Sequence, residues 1–285
     1  MYARKSLGAY RNKLSMTAVS ELEEDALEAA TGVQAPLKRD LVAGLEKGLA
    51  VIEAFDQERP RLTISQVAER TGLTRAAARR YLLTLMHLGF VSQDRKMFAL
   101  TPKVLSLAQS YLHSARLPRI VEPELSKLAM MLKEASAACV LDGLDVVVVS
   151  AASAGRLPIP GLQPGKRVPA HCTSIGRVLL ASLPTEQIDN WLAQNVFVPH
   201  TSHTITQPER LRIEIARARA QGYAFTDQEF TLGLRTIAVP LLNHRGDVVA
   251  ALNLCVPAAR MSVEEMIDQC LPPLLQTQAH LKVLL

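Results

Sequence analysis

The sequence predicts an α+β chain: an N-terminal winged helix-turn-helix domain, a linker helix, and a larger C-terminal domain of antiparallel hairpins flanked by helices. Three observations carry this. Helix start and stop residues punctuate the stretch from Thr63 to Leu88, and a short hairpin pattern follows it. Positive charge is concentrated there. Two later segments read as hairpins with helical periodicity between them, and no strand–helix alternation demands a parallel sheet. The 285 residues suffice for two cores. The expected division is a poorly ordered arm over 1–40, the winged domain over 41–101, the linker helix over 102–117 and the C-terminal domain over 118–285.

In the arm, Glu21 to Ala30 has the composition of a short acidic helix, but Gly32, Pro36 and the polar residues before Asp40 prevent a continuous element. Gly44 to Phe55 reads as the first domain helix. Its Leu45, Leu49, Ile52 and Phe55 recur at three- and four-residue steps, a stripe expected to pack beneath the helix pair that follows. Thr63 caps a helix with Ile64, Val67 and Ala68 at helical spacing. Gly72 ends it as a left-handed residue does. Thr74 caps the second helix, Arg75 to Leu88, whose buried stripe would be Ala78, Leu82 and Leu85 while Arg75, Ala76, Arg79 and Arg80 project outward. Phe90 to Leu100 then alternates around a polar turn at Gln93 to Lys96, a wing with Arg95 and Lys96 at its tip.

Thr101 as cap and Pro102 at the first helical position start a helix to His113. Its apolar residues cover more than one face, as expected of a connector that also meets a partner subunit. Pro118 and Pro123 read as breaks at the domain boundary, with a helix from Glu124 to Glu134 beyond them. Ala138 to Ser150 and Arg235 to Cys255 each hold a turn between β-branched runs, at Asp142-Gly143 and at Asn243 to Asp247. Helical stretches lie at Ser174 to Ser182, Thr185 to Gln194 and Pro208 to Gln221. A last helix, Val263 to Leu285, is expected to bend near Pro272 and Pro273.

Charge placement points to a partner for the N-terminal domain. Arg59 to Lys103 contains nine Lys/Arg against Glu69 and Asp94, a net +7 in a chain of +5, so the remainder is −2. A local positive field is the footprint expected of phosphate contacts. A helix offering small residues and arginines at its start suits close approach to a major groove. Thr74, Arg75, Ala76, Arg79 and Arg80 are therefore the expected contacts of the recognition helix with double-stranded DNA, and Arg95 and Lys96 those of the wing. The competing reading is a solvated basic face on an ordinary helical domain.

Other classes find less support. No apolar run reaches the ~18 residues of a membrane span, and the N-terminus lacks the apolar core of a secretory signal. A cytoplasmic location without membrane partners is expected. Cys139, Cys172, Cys255 and Cys270 are widely spaced and read as reduced, buried thiols. His171-Cys172 invites a nucleophile reading, but no acid or amide is placed to orient the histidine. His200 and His203 sit at close spacing without cysteine or carboxylate neighbours in the sequence. No catalytic residue, metal site or cofactor is therefore assigned, and the chain is not expected to be an enzyme. Arg235, set among apolar strand residues, reads as a structural ion-pair partner.

The motifs also resemble a known family. From Leu45-Glu-Lys-Gly-Leu-Ala-Val-Ile-Glu-Ala-Phe55 through the helix-turn-helix and wing to Gly222-Tyr-Ala-Phe-Thr-Asp-Gln-Glu-Phe-Thr-Leu-Gly-Leu-Arg-Thr-Ile-Ala-Val-Pro240, the chain resembles the IclR family of transcriptional regulators over residues 41–285. Pro169-Ala-His-Cys-Thr-Ser-Ile-Gly-Arg-Val-Leu-Leu-Ala181 and Thr204-Ile-Thr-Gln207 are similar to the branch that regulates the β-ketoadipate pathway, whose members respond to protocatechuate, 4-hydroxybenzoate or downstream acids.

The resemblance implies a GAF-like effector-binding domain, homodimers or dimers of dimers, a palindromic promoter operator and contact with RNA polymerase. It also implies effector residues: Leu157 and Pro160 in a variable loop, Thr173, Ser174 and Ile175 at a helix start, Thr226, Leu234 and Thr236, and Asn253 and Cys255 on the last strand. The chemistry agrees with a small aromatic or dicarboxylic acid, because the Thr173 and Ser174 hydroxyls with free N–H groups at the helix start make an anion site. Apolar Leu157, Ile175 and Leu234 suit the body of such a ligand. Two alternatives stay open: an IclR-type regulator of another carboxylate-utilisation pathway, and a small-molecule-binding enzyme or sensor whose helix-turn-helix makes protein contacts.

Overall fold

The computed structural model describes residues 38–56, 58–107, 116–154 and 161–285. The chain divides into two compact units, residues 1–110 and 111–285. Among the described residues no helix is long and apolar enough to cross a membrane.

In the first unit α1 (Ala43–Glu53) precedes a two-residue strand β1 (Arg61–Leu62), then α2 (Ile64–Thr71), α3 (Arg75–His87), β2 (Val91–Asp94) and β3 (Met97–Leu100). Thr63 and Gln66 form a reciprocal capping box at the start of α2, with Thr63 N–H donating to Gln66 Oε1 at 2.8 Å. Gly72 ends that helix at φ 67°, where a Cβ would be strained. Thr74 Oγ1 accepts from Ala77 N at 3.2 Å and starts α3. Val51, Leu62, Val67, Ala78, Leu82, Leu85, Val91 and Phe98 form the core. β2 and β3 pair with Asp94 opposite Met97, which leaves Arg95 and Lys96 as the hairpin turn. β1 adds to the outer edge of β3, a strand too short to show any alternation in the sequence.

Two expectations for this unit need correction. The stripe on α1 does not pack as a whole: Val51 and Ala54 are buried, Ile52 and Phe55 are half-buried, and Leu45 and Leu49 are exposed. The second half of α1 supplies Val51 and Ala54 to the core, whereas among the described residues none before Val51 is part of it. Beyond the wing, Pro102–Val104 forms a 3₁₀ turn capped by Thr101, and residues 105–107 are helical. Residues 108–115 of the expected linker helix lie outside the described residues, as does most of the arm, and residues 116–117 belong to the first helix of the second unit.

The second unit is a six-stranded antiparallel sheet between two helical layers. Its strands are β4 (Ala135–Asp142), β5 (Asp145–Ser153), β6 (Arg167–Pro169), β7 (Ala224–Asp227), β8 (Leu234–Leu242) and β9 (Val248–Pro257), in the spatial order β6-β5-β4-β9-β8-β7. The helices are α4 (Arg116–Leu132), α5 (Ser174–Ala181), α6 (Thr185–Gln194), α7 (Pro208–Gln221) and α8 (Val263–Leu284). Val121, Leu125 and Leu128 of α4, with Met266, Cys270, Leu274 and Leu281 of α8, pack on one face. Ile175 and Leu179 of α5, Ile188 and Leu192 of α6, and Leu211 and Ile215 of α7 pack on the other. β4, β8 and β9 are thus buried on both sides, which is why they read as apolar runs. The edge strands β6 and β7, three and four residues long, carry no such pattern.

The prolines expected to break α4 do not. The helix begins at Arg116 and runs through Pro118 and Pro123. Pro118 lies in the first turn, where its missing N–H has no intrahelical partner to lose. Pro123 frees the carbonyl of Arg119, and both residues are exposed, so water can take up that bond. α8 likewise remains one helix through Pro272 and Pro273, whose lost partners Asp268 and Gln269 are exposed. Burial of four apolar side chains on α8 at about 1.5–3 kcal/mol each equals or exceeds the cost of about 3 kcal/mol for each of the two interior prolines.

Candidate functional site

The outer surface of α3 is fixed by its buried surface. Ala78, Leu82 and Leu85 are buried, and with 100° per residue this turns Ala76 and Arg80 to the opposite side and Arg79 to the flank, while Arg75 lies in the exposed first turn. All four are exposed, together with Thr74, Arg95 and Lys96. Arg95 holds the tight hairpin at φ 55°. Local acids are used elsewhere: Asp94 pairs with Arg61 at 3.3 Å and Asp56 with Arg70 at 2.5 Å. Lys103 donates to Leu88 O at 2.7 Å and stands 5.1 Å from the centre of the Phe90 ring, so it closes the end of α3. Among the described residues Arg75, Arg79, Arg80, Arg95 and Lys96 carry no ion pair. Arg59, outside this surface, is likewise exposed and without an ion pair, but five of the nine cations are presented together on α3 and the wing tip.

In the second unit a cavity opens between the sheet and the start of α5. Its walls are Val148, Gly161, Leu162, Val168, Cys172, Thr173, Ile175, Thr226, Phe230, Thr231, Leu234, Thr236, Asn253 and Cys255. The structure thus brings together Thr173, Ile175, Thr226, Leu234, Thr236, Asn253 and Cys255 of the residues singled out from the sequence. Ser174 is fully buried behind the wall, and Leu157 and Pro160 lie outside the described residues. Val148, Val168 and Phe230 were not legible as site residues, because strand register and a chain turn bring them there. Cys172 was named only as a possible nucleophile, though it adjoins Thr173. The unfilled space is about 50 Å³, enough for several waters but well short of the ~150 Å³ cavity that takes up a benzene ring.

Most polar groups in this wall are already engaged. Thr236 Oγ1 shares hydrogen bonds with Ser174 Oγ at 2.7 Å and Thr226 Oγ1 at 2.8 Å, a chain of three hydroxyls. Thr173 Oγ1 donates to Pro169 O at 3.0 Å and accepts from Gly176 N at 3.2 Å. The expected anion site is corrected accordingly: the Thr173 hydroxyl braces the helix start and the Ser174 hydroxyl is taken up by Thr236. The N–H groups of Ser174 and Ile175 have no partner among the described residues. Asn253 donates to Cys255 Sγ at 3.4 Å, and its Oδ1 is buried without a partner. Burial pushes the Cys255 thiol up to about 12, so it stays a protonated, weak donor.

Behind α5 runs a buried ion pair. Arg177 Nη2 donates to Glu229 Oε2 at 2.6 Å, with both side chains almost fully enclosed. Arg177 also reaches Phe225 O at 3.3 Å. The Glu229 carbonyl accepts from Thr204 Oγ1 at 2.6 Å and Thr201 Oγ1 at 3.2 Å. This network ties the helix to the segment between β7 and β8, and nothing in the sequence paired the two residues. Arg235 is placed as read: its guanidinium meets Asp227 at 2.8 Å and donates to Ala258 O at 2.9 Å. Burial pushes the Cys172 thiol up to about 12 and holds His171 down to about 4. A buried, protonated thiol beside a weakly basic imidazole is poorly set up for nucleophilic attack.

Comparison with known proteins assigns the family. Residues 44–95 match the IclR helix-turn-helix domain, and residues 109–282 match the C-terminal domain of bacterial IclR transcriptional regulators. The Pca operon regulatory protein of Acinetobacter baylyi is 38% identical over 92% of this chain and 96% of its own length. The p-hydroxybenzoate hydroxylase transcriptional activator of the same organism is 40% identical over 85% of this chain and 92% of its own. A crystal structure of the inducer-binding domain of the Acinetobacter PobR transcription factor, a double mutant in complex with 3-hydroxybenzoic acid, is 32% identical. It superposes with a TM-score of 0.57, over 60% of this chain and all of that one. With both domains matched in order, this chain belongs to the IclR family of bacterial transcriptional regulators, carrying a helix-turn-helix domain followed by an effector-binding domain, and it is not an enzyme.

Proposed function

We propose that this regulator binds a palindromic promoter operator through α3 and the wing, and that a small aromatic hydroxy acid or a dicarboxylic acid in the cavity of the second unit controls it. The observation that carries the DNA reading is the set of five exposed cations without ion pairs on α3 and the wing tip. Thr74, Arg75, Ala76, Arg79 and Arg80 enter the major groove, and Arg95 and Lys96 contact phosphate or the minor groove. The chain acts as a homodimer or dimer of dimers. Leu41, Val42, Leu45 and Leu49 around the start of α1, with Leu105 and Leu107 past the wing, are exposed apolar side chains suited to a subunit interface. RNA polymerase is the further partner through which it acts on transcription, in the cytoplasm.

The effector reading rests on the capped start of α5, whose N–H groups favour a carboxylate, and on the apolar walls around it. The ligands of similar regulators point to hydroxybenzoates, and the process controlled is aromatic catabolism by the β-ketoadipate pathway. A thermal-shift screen with protocatechuate, 3- and 4-hydroxybenzoate and β-ketoadipate tests this. At 100 Kd a ligand adds about 2.7 kcal/mol to the folded state, so a true effector raises the melting temperature by several degrees. No response to any of the four removes the pathway and leaves the family intact.

A further inference from the structure

We propose that His171, Cys172 and His200 form a binding site for a thiophilic divalent metal ion of the zinc type. His171 and Cys172 immediately precede the cap of α5, and His200 lies in the connection from α6 to α7. Each offers one ligand atom, and the three atoms all lie within 4.8 Å of one another. In a tetrahedral centre with metal–nitrogen bonds of about 2.0 Å and metal–sulfur bonds of about 2.3 Å, ligand atoms sit roughly 3.3–3.8 Å apart. Closure by about 1 Å is within small side-chain rotations.

The surroundings favour this use. His171 Nε2 lies 3.1 Å from Val198 O and donates to it, which leaves Nδ1 with the free lone pair. A backbone carbonyl holding the second ring nitrogen is the common way of orienting a metal-binding imidazole. The His171 ring packs 5.3 Å from Phe197 and the His200 ring 5.1 Å from Phe230, centre to centre, which limits their rotation. Cys172 gives up its proton to water as the sulfur–metal bond forms.

Two imidazoles and a thiolate select a borderline-soft ion over magnesium or calcium. Three protein ligands leave a fourth position for water or an external oxygen. Because Cys172 also lines the cavity, an ion held here stands at its wall. The sequence concealed the site, since the obvious pair was His200 and His203, whereas the fold brings His200 to residues almost thirty positions earlier.

The test titrates cobalt(II) into the full-length chain after removal of metals by a chelator. One cobalt per chain is expected, with a thiolate-to-cobalt charge-transfer band that zinc(II) displaces. Cys172→Ser abolishes the band, and His200→Ala, at a partly exposed position, weakens binding at least tenfold. His203→Ala, outside the cluster, changes neither. Circular dichroism establishes that each variant is folded, and His200→Ala carries the test should Cys172→Ser not fold. Absence of the band in the folded wild type, its survival in Cys172→Ser, full binding by His200→Ala, or loss of binding in His203→Ala overturns the proposal.

Discussion

One missing methyl group decides whether α5 can begin where it does. A Cβ on Gly176 would stand 2.0 Å from the carbonyl oxygen of Ala170, a backbone atom that cannot swing aside. Helix propensity alone predicts that Gly176→Ala stabilises the chain by about 1 kcal/mol. The clash reverses the sign, and a net loss of about 2 kcal/mol or more is expected in urea unfolding; a stabilised variant contradicts the packing. The Arg177–Glu229 pair is the second residue-scale test. Removing one partner strands a buried charge at a cost of about 3–5 kcal/mol, while Arg177→Met with Glu229→Leu recovers much of it. A double variant no more stable than the worse single one counts against the pair. Neither feature was legible in the sequence, because both depend on segments distant along the chain meeting in space.

His171 adds a dependence on pH. Its folded pKa is about 4 against 6.5 for the free ring. The unfolded chain takes up the proton first, so the stabilisation is fully present above pH 6.5 and is lost as pH falls from 6.5 through 4. It is on the order of 3 kcal/mol. In chelator-treated protein, His171→Gln should flatten part of the fall in urea midpoint across that window; an unchanged slope rules the residue out as its source.

At the scale of elements, local chemistry was the better guide wherever it acts alone. Thr63, Gly72 and Thr74 delimit α2 and α3 because capping bonds form within a few residues. Asp142-Gly143 marks the first hairpin turn for the same reason. Pro118 and Pro123 misled, since what holds α4 together is the burial of Val121, Leu125 and Leu128 against the sheet, a tertiary term. α1 shows the converse. Its apolar stripe is real, but Leu45 and Leu49 find no cover in the unit's own core. If they face a second subunit, Leu45→Glu with Leu49→Glu lowers the mass seen in sedimentation and leaves the unit's unfolding within about 0.5 kcal/mol, as surface changes do. A fully assembled variant removes α1 from the interface.

On the scale of the whole molecule, an effector-binding domain follows a helix-turn-helix domain in one chain. A ligand that binds two dimer arrangements equally well shifts nothing, however tightly it binds. The cavity's unfilled space of about 50 Å³ is smaller than an aromatic ring needs, so hydroxybenzoate binding is expected to move its walls, a change that can favour one arrangement over another. The cavity residues from Thr173 to Cys255 were named from family motifs, whereas Val148, Val168 and Phe230 needed the sheet register.

The most direct measurement is the salt dependence of binding to promoter-region duplex DNA by the wild type and by Arg79→Ala with Arg80→Ala. Removal of two cations that α3 brings to the duplex predicts weaker binding by the variant at every salt concentration and a log–log slope shallower by up to about 1.8, roughly 0.9 per phosphate charge neutralised. Equal affinity and equal slope across the salt range contradict the assignment of α3 as the DNA-reading helix.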